Sequence, residues 1–195
     1  MSEPRATGAV HGPARRQPVA RLLALVLALA LPGPAWAQAK PDASPTGASG
    51  LPIPRFVSLK SDRVNLRQGP GTEYPTAWVF RRAGLPVEVV KEFEAWRQVR
   101  DAEGTEGWVP GTMLSGRRTA VILPWEARTG RKDPVVATLR GDDSAAATPI
   151  AQLEAGVLAS IISCSGQWCR VSVGGFRGYI EQAKLWGVYP GEVIK

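Results

Sequence analysis

The chain has 195 residues, 24 Lys+Arg against 17 Asp+Glu for a formal net charge of +7, one His and two Cys. That length suits one or two small domains. The longest apolar run, Leu22 to Leu31, has ten residues where a membrane-spanning helix needs about 20, so no stable membrane insertion is expected.

Arg15, Arg16 and Arg21 precede that run, Pro32-Gly33-Pro34 ends it, and Ala35-Trp36-Ala37 supplies the small residues of a signal-peptidase site. Residues 1–37 therefore read as a signal peptide, cut between Ala37 and Gln38. No Cys follows for lipidation. Gln17-Pro18 stands after Arg15-Arg16 where the twin-arginine route prefers an apolar pair, and the choice between the general and twin-arginine routes stays open. The mature chain keeps 158 residues (195 less 37) and 20 Lys+Arg against 16 Asp+Glu, a net +4. The basic points left, Arg81-Arg82, Arg117-Arg118 and Arg128 to Lys132, read as solvated loops. Export makes nucleic acid an unsuitable partner and points to a periplasmic or secreted protein.

Residues 38–54 are Ala, Pro, Ser, Gly and Thr with few aliphatic groups. Such a segment buries too little to offset its ordering entropy and is expected to be a disordered linker. From Phe56 onward, short β-branched and aromatic runs alternate with Gly and Pro, which predicts an all-β fold. The runs are Phe56 to Leu59, Trp78 to Phe80, Pro86 to Lys91, Arg97 to Arg100, Gly107 to Pro110 and Thr119 to Leu123.

Shifted by about 72, the chain repeats. Ala83-Gly84-Leu85 falls on Ala155-Gly156-Val157, Val89-Val90 on Ile161-Ile162, Trp96 on Trp168 and Val99 on Val171. After one deletion, Gly107-Trp108-Val109 meets Gly178-Tyr179-Ile180, and upstream Leu66-Arg67 meets Leu139-Arg140. Two copies of one unit follow, a first domain over 55–123 and a diverged second over 134–195, with 124–133 as the connection. Each copy is small enough that packing one against the other would add stability.

In the first copy Arg63-Val64-Asn65-Leu66-Arg67-Gln68-Gly69-Pro70-Gly71 is followed by Ala83-Gly84, Trp96, Val99 and Gly107-Trp108-Val109. This pattern resembles the bacterial SH3-like domain. The run Arg81 to Val87, with Ser115 to Ala120 closing the first barrel, is similar to an exported α-proteobacterial branch of that family with no settled activity. The second copy lacks the Asn and the Gly-Pro turn and has Tyr179 in place of the Trp. The resemblance implies two tandem small SH3-like β-barrels and a habit of binding extended ligands.

Cys164 and Cys169 flank Ser165-Gly166-Gln167-Trp168, a tight hairpin, and in an oxidising compartment they are expected to form a disulfide. A redox pair is the alternative, but such centres usually separate the cysteines by two residues at a helix start. His11 leaves with the leader, so the mature chain has no His to serve as a Cys or Ser base or as a zinc ligand. The carboxylate pairs Glu92/Glu94 and Asp142/Asp143 sit at turns or edges and read as solvated acids rather than a glycosidase pair. No enzyme activity, cofactor or metal is expected.

An SH3-like groove is walled by aromatic rings and rimmed by polar groups. Tyr74, beside Pro75 in the loop, is the leading ring. Trp96 suits either an exposed site or a cap on the barrel. Trp78 and Trp108 have strand contexts that favour the core, with Trp108 kept as a groove candidate. Asn65 and Arg67 either pin the loop to backbone or, with Arg67 beside Tyr74, bind a ligand carboxylate. Trp168, Tyr179 and Trp186 are the parallels in the second copy, which is expected mainly to brace the first. The expected function is a non-catalytic periplasmic binding module for peptidoglycan stem peptides or an extended segment of an envelope protein, the alternative being a structural adaptor in a periplasmic complex.

Overall fold

The computed structural model describes residues 45–127 and 133–195, all within one compact unit. The expected signal peptide and its cut lie outside the described residues, as do the first part of the linker and residues 128–132 of the connection. The first seven strands are β1 (Arg55–Leu59), β2 (Val64–Arg67), β3 (Thr76–Phe80), β4 (Pro86–Phe93), β5 (Trp96–Arg100), β6 (Glu106–Pro110) and β7 (Leu114–Ser115). They form an antiparallel sheet in the order β3-β2-β6-β5-β4-β1-β7. The next seven are β8 (Thr119–Ile122), β9 (Val136–Arg140), β10 (Pro149–Glu154), β11 (Leu158–Ser165), β12 (Trp168–Val173), β13 (Phe176–Glu181) and β14 (Leu185–Trp186). Their order, β10-β9-β13-β12-β11-β8-β14, repeats the first strand for strand, and a short β15 (Val193–Ile194) adds to β11. A single 3-10 turn precedes the last strand of each set, Gly111–Met113 before β7 and Gln182–Lys184 before β14. No helix among the described residues is long and apolar enough to cross a membrane. The all-β expectation and the tandem SH3-like barrels are therefore observed.

Each barrel has its own core. In the first, Leu66, Val87, Val89, Val99 and Val109 are wholly buried, and in the second Ile122, Leu139, Cys169, Val171 and Ile180 take that part. Close approach of β6 to β2 depends on Gly107, where a Cβ would fall 2.5 Å from Leu66 Cγ and 2.8 Å from the Arg67 carbonyl oxygen.

Three expectations are corrected. Ser115 to Ala120 was expected to close the first barrel and the first domain to run to residue 123, but β8, which starts at Thr119, pairs with β11 and β14 and opens the second sheet. The two sheets therefore meet at 116–118, and residues 124–127 and 133, the described part of the stretch expected as a connection, fall between β8 and β9 of the second sheet. The linker is ordered over 45–54: the Gly47 amide donates to Leu51 O (2.8 Å), the Ile53 amide to Pro45 O (2.9 Å), and Ile53 packs on the first core. Its order rests on polar anchorage, since the amide and hydroxyl of Ser49 both donate to Glu92 (2.6 and 2.8 Å), which low apolar content does not disclose. Trp78 is not core. It pairs across from buried Leu66 but is 54% exposed, because β3 is the sheet's edge and no strand among the described residues covers it.

The barrels are joined through the outer face of β1 and β4. Phe56, only 7% exposed, belongs to neither core. Its ring meets Trp186 edge-on at 5.1 Å and Tyr189 at 4.7 Å, with the Arg118 guanidinium 6.0 Å from its centroid. Glu88 is 3% exposed. It accepts from Arg100 Nε (3.0 Å) within its own barrel and from the Tyr189 hydroxyl (2.9 Å) of the other. Burial, followed by the hydrogen bond to the Glu88 carboxylate, pushes the Tyr189 hydroxyl well above the usual phenol range. That same carboxylate raises Arg100. Arg118 donates to Glu192 at 2.7 Å, and Thr119 Oγ1 to the Gly84 carbonyl at 2.7 Å. Burial would raise Glu192, but Arg118 and the Tyr189 amide outweigh it and hold that carboxyl below its usual value. Buried charges need such partners to be tolerated at all.

The hairpins β4–β5 and β11–β12 are fastened at the same cross-strand position by different chemistry. Glu92 stands opposite Arg97, 3.1 Å from its Nε. In the second barrel Cys164 stands opposite Cys169, and the two are bonded as expected. Glu92 also accepts from Arg55 (2.7 Å). Burial works to raise this carboxyl, yet the Ser49 amide, Arg55 and the Ser49 hydroxyl together lower it from 4.5 to about 2.

Candidate functional site

The loop between β2 and β3 folds back on itself. Its Gln68 amide donates to Pro75 O (3.1 Å) and its Gly71 amide to Gly69 O (3.0 Å). The Tyr74 ring lies on the backbone of Gly69, where a Cβ would fall 2.4 Å from the ring; only glycine admits that contact. Arg67, at the end of β2, holds the loop from below by donating from Nη1 to the carbonyls of Thr72 (2.9 Å) and Tyr74 (2.6 Å). Arg140 does the same in the second barrel through Ala147 O (2.9 Å). The pinning role is thus the observed one for Arg67.

Beside this loop lies a cavity of about 220 Å³ walled by Arg63, Asn65, Arg67, Thr72, Trp96, Pro110 and Met113. Asn65 is exposed on β2 between buried Val64 and Leu66, and among the described residues its amide makes no hydrogen bond. Trp96 opens β5 after a two-residue turn in which Glu94 takes a positive φ of 47°, and it pairs across to Pro110. The Gly111 amide donates to Ala95 O (2.8 Å). This tie seats the 3-10 turn, with Met113 at its end, against the β4–β5 hairpin.

Asn65, Arg67 and Trp96 thus converge on one cavity, while Tyr74 and Trp108 do not line it. Tyr74 is spent on its own loop. Trp108 is half-buried on β6, across from Arg67 and Gln98. Arg63 and Met113 were missed by sequence reasoning. Arg63 stands at the head of the Asn65 motif, a signal that was present, whereas nothing in the sequence marks Met113, which arrives through the 3-10 turn. The walls offer two guanidinium groups, a free amide, an indole face and a thioether, with no carboxylate among them. Such a surface suits an extended chain whose carboxylate pairs with Arg and whose apolar groups lie on the indole. Among the second-barrel parallels, Trp168 sits where Trp96 does, whereas Trp186 is committed to the joint with Phe56.

The sequence profile of the bacterial SH3 domain matches the chain twice, over residues 60–116 and 132–187. No curated protein matches it. Among solved structures it is similar to an NlpC2 protein from Trichomonas vaginalis, at 15% identity and a TM-score of 0.30, covering 68% of this chain and 48% of that one. An NlpC/P60 family protein from Bacillus cereus is matched at 12% identity and a TM-score of 0.29, covering 67% and 55%. The chain spans about half the length of these structures.

Proposed function

This chain belongs to the bacterial SH3 domain family, and on that premise we propose that it is a non-catalytic periplasmic binding module whose first barrel takes an extended peptide-like ligand. Domains of this family are generally binding modules. The ligand we propose is a peptidoglycan stem peptide or an extended segment of an envelope protein, held in the cavity of Asn65, Arg67 and Trp96. One observation carries this reading: an indole face, an uncommitted amide and two cations meet on one cavity wall, which fits a stem peptide's carboxylates and short apolar side chains. Arg63 is the cation left over for a ligand, since Arg67 is largely used by its loop. The Cys164–Cys169 bond supports an oxidising compartment. Co-sedimentation of the protein with purified sacculi tests the cell-wall version. Binding at low salt that is lost in Trp96→Ala is expected, and no binding at low salt sinks it.

A second reading, a structural adaptor within a periplasmic assembly, is favoured by the joint itself. Phe56, Glu88, Tyr189 and Arg118 bind the barrels into one body, the kind of part that spaces partners rather than merely captures a ligand. Affinity purification from periplasm distinguishes it, and recovery of no stoichiometric partner counts against it.

A further inference from the structure

Outside that groove, the first barrel leaves one strand edge open. Among the described residues, β3 has β2 on one side and no strand on the other. Its sequence, Thr76-Ala77-Trp78-Val79-Phe80, has neither charge nor proline, two devices by which free edges are usually blunted. The matching edge of the second barrel, β10, has Pro149 at one end and Glu154 at the other. Both edges share a one-residue bulge, at Ala77 and at Ile150, so the bulge does not account for the difference.

Next to the exposed Trp78 ring lies a cavity of about 370 Å³ whose walls come from both barrels, Leu85 and Pro86 from the first and Val121 and Pro124 from the second. The charges at its lip are unequally committed. Arg82 donates to Gly156 O (3.3 Å), and Asp101 is occupied as acceptor for the Glu103 and Thr105 amides (2.9 and 2.8 Å). Arg81, which also lines the cavity, has no acidic partner among the described residues.

We propose that this edge is a second binding site, taking an extended segment of a partner protein as an added strand along β3. One apolar side chain packs against Trp78 over the cavity, and a carboxylate, from a side chain or a chain terminus, pairs with Arg81. Main-chain groups of the open edge supply affinity without regard to sequence, while the indole and cavity select an apolar residue and Arg81 selects an acid. The cavity needs a wall from each barrel, so the site belongs to the tandem and to neither barrel alone.

The test is a synthetic library of linear heptapeptides with free C-termini, selected in parallel on the full chain and on its Trp78→Ala variant. The half-exposed ring can be removed without opening the core. Expected are enriched sequences that pair an apolar residue with Asp, Glu or a terminal carboxylate, and that bind Trp78→Ala at least about tenfold more weakly. Arg81→Glu should turn the preference from acidic to basic sequences, and hydrogen exchange of the β3 amides should slow when an enriched peptide is bound. No enrichment, or equal enrichment on Trp78→Ala, overturns the proposal. Enriched peptides that lose affinity in Trp96→Ala but not in Trp78→Ala overturn it too, and assign the binding to the groove beside Asn65.

Discussion

Replacing Glu92 by Gln tests what holds the N-terminal segment to the first barrel. The side chain is 1% exposed and lies 2.7 Å from Arg55 and 3.1 Å from Arg97. Gln keeps the shape and one acceptor but no longer offsets two guanidinium charges. A carboxyl lowered from 4.5 to about 2 corresponds to about 3 kcal/mol at neutral pH, because each tenfold change in acidity is worth about 1.4 kcal/mol. That figure is a ceiling, and a loss of about 2–3 kcal/mol is expected for Glu92→Gln. The pH dependence carries the sharper signature. Between about pH 4.5 and 2 the unfolded chain binds a proton that folded Glu92 refuses. Its contribution is therefore complete above that window and fades as pH falls through it. Glu192, also held below its usual value by Arg118, gives both proteins a common residual decline in acid. Urea unfolding followed by tryptophan fluorescence at about pH 7, 4.5 and 2.5 measures the gap, which should be widest at neutral pH and shrink to roughly a quarter of that at the lowest. A gap that stays constant with pH would refute the assignment of the lowered carboxyl to Glu92.

Phe56→Ala empties the joint and should cost about 3 kcal/mol, with a single urea transition separating into two as the barrels part. Replacing Cys164 and Cys169 together by Ala removes a cross-link closing a very short loop, and a loss of about 2 kcal/mol is expected, matched in the unmodified chain by adding a thiol reductant. Asn65→Ala should weaken sacculus binding several-fold with little change in thermal midpoint, whereas Tyr74→Ala should leave binding intact because that ring lies on Gly69.

The repeat was legible because the residues that carry it are core and turn residues, whose types are dictated locally. Val89 and Ile161, Val99 and Val171, Gly107 and Gly178 each hold the same place in their barrel, and the disulfide followed from a hairpin only four residues long. Part of the cavity was legible for the same reason, since Asn65, Arg67 and Trp96 belong to the motif. What escaped depends on pairings distant in the chain. Thr119 to Ile122 resembles a closing strand until its partners in β11 and β14 are known. Trp78 has the alternation of a core residue but stands at an edge. Glu88 and Phe56 sit on a face that would be solvated in an isolated barrel, so no periodicity marks them as buried. Ser49 is a polar residue in a low-complexity stretch, and its tie to the barrel comes through the Glu92 carboxylate, 43 residues away in the chain.

The two hairpin fastenings answer to different variables in the surroundings. Acid or concentrated salt loosens the Glu92–Arg97 contact and leaves the Cys164–Cys169 bond untouched; a thiol donor does the reverse. The two fastenings also differ in what they require: the Glu92–Arg97 contact forms from the chain's own charges as the first barrel folds, while the Cys164–Cys169 bond needs an electron acceptor besides.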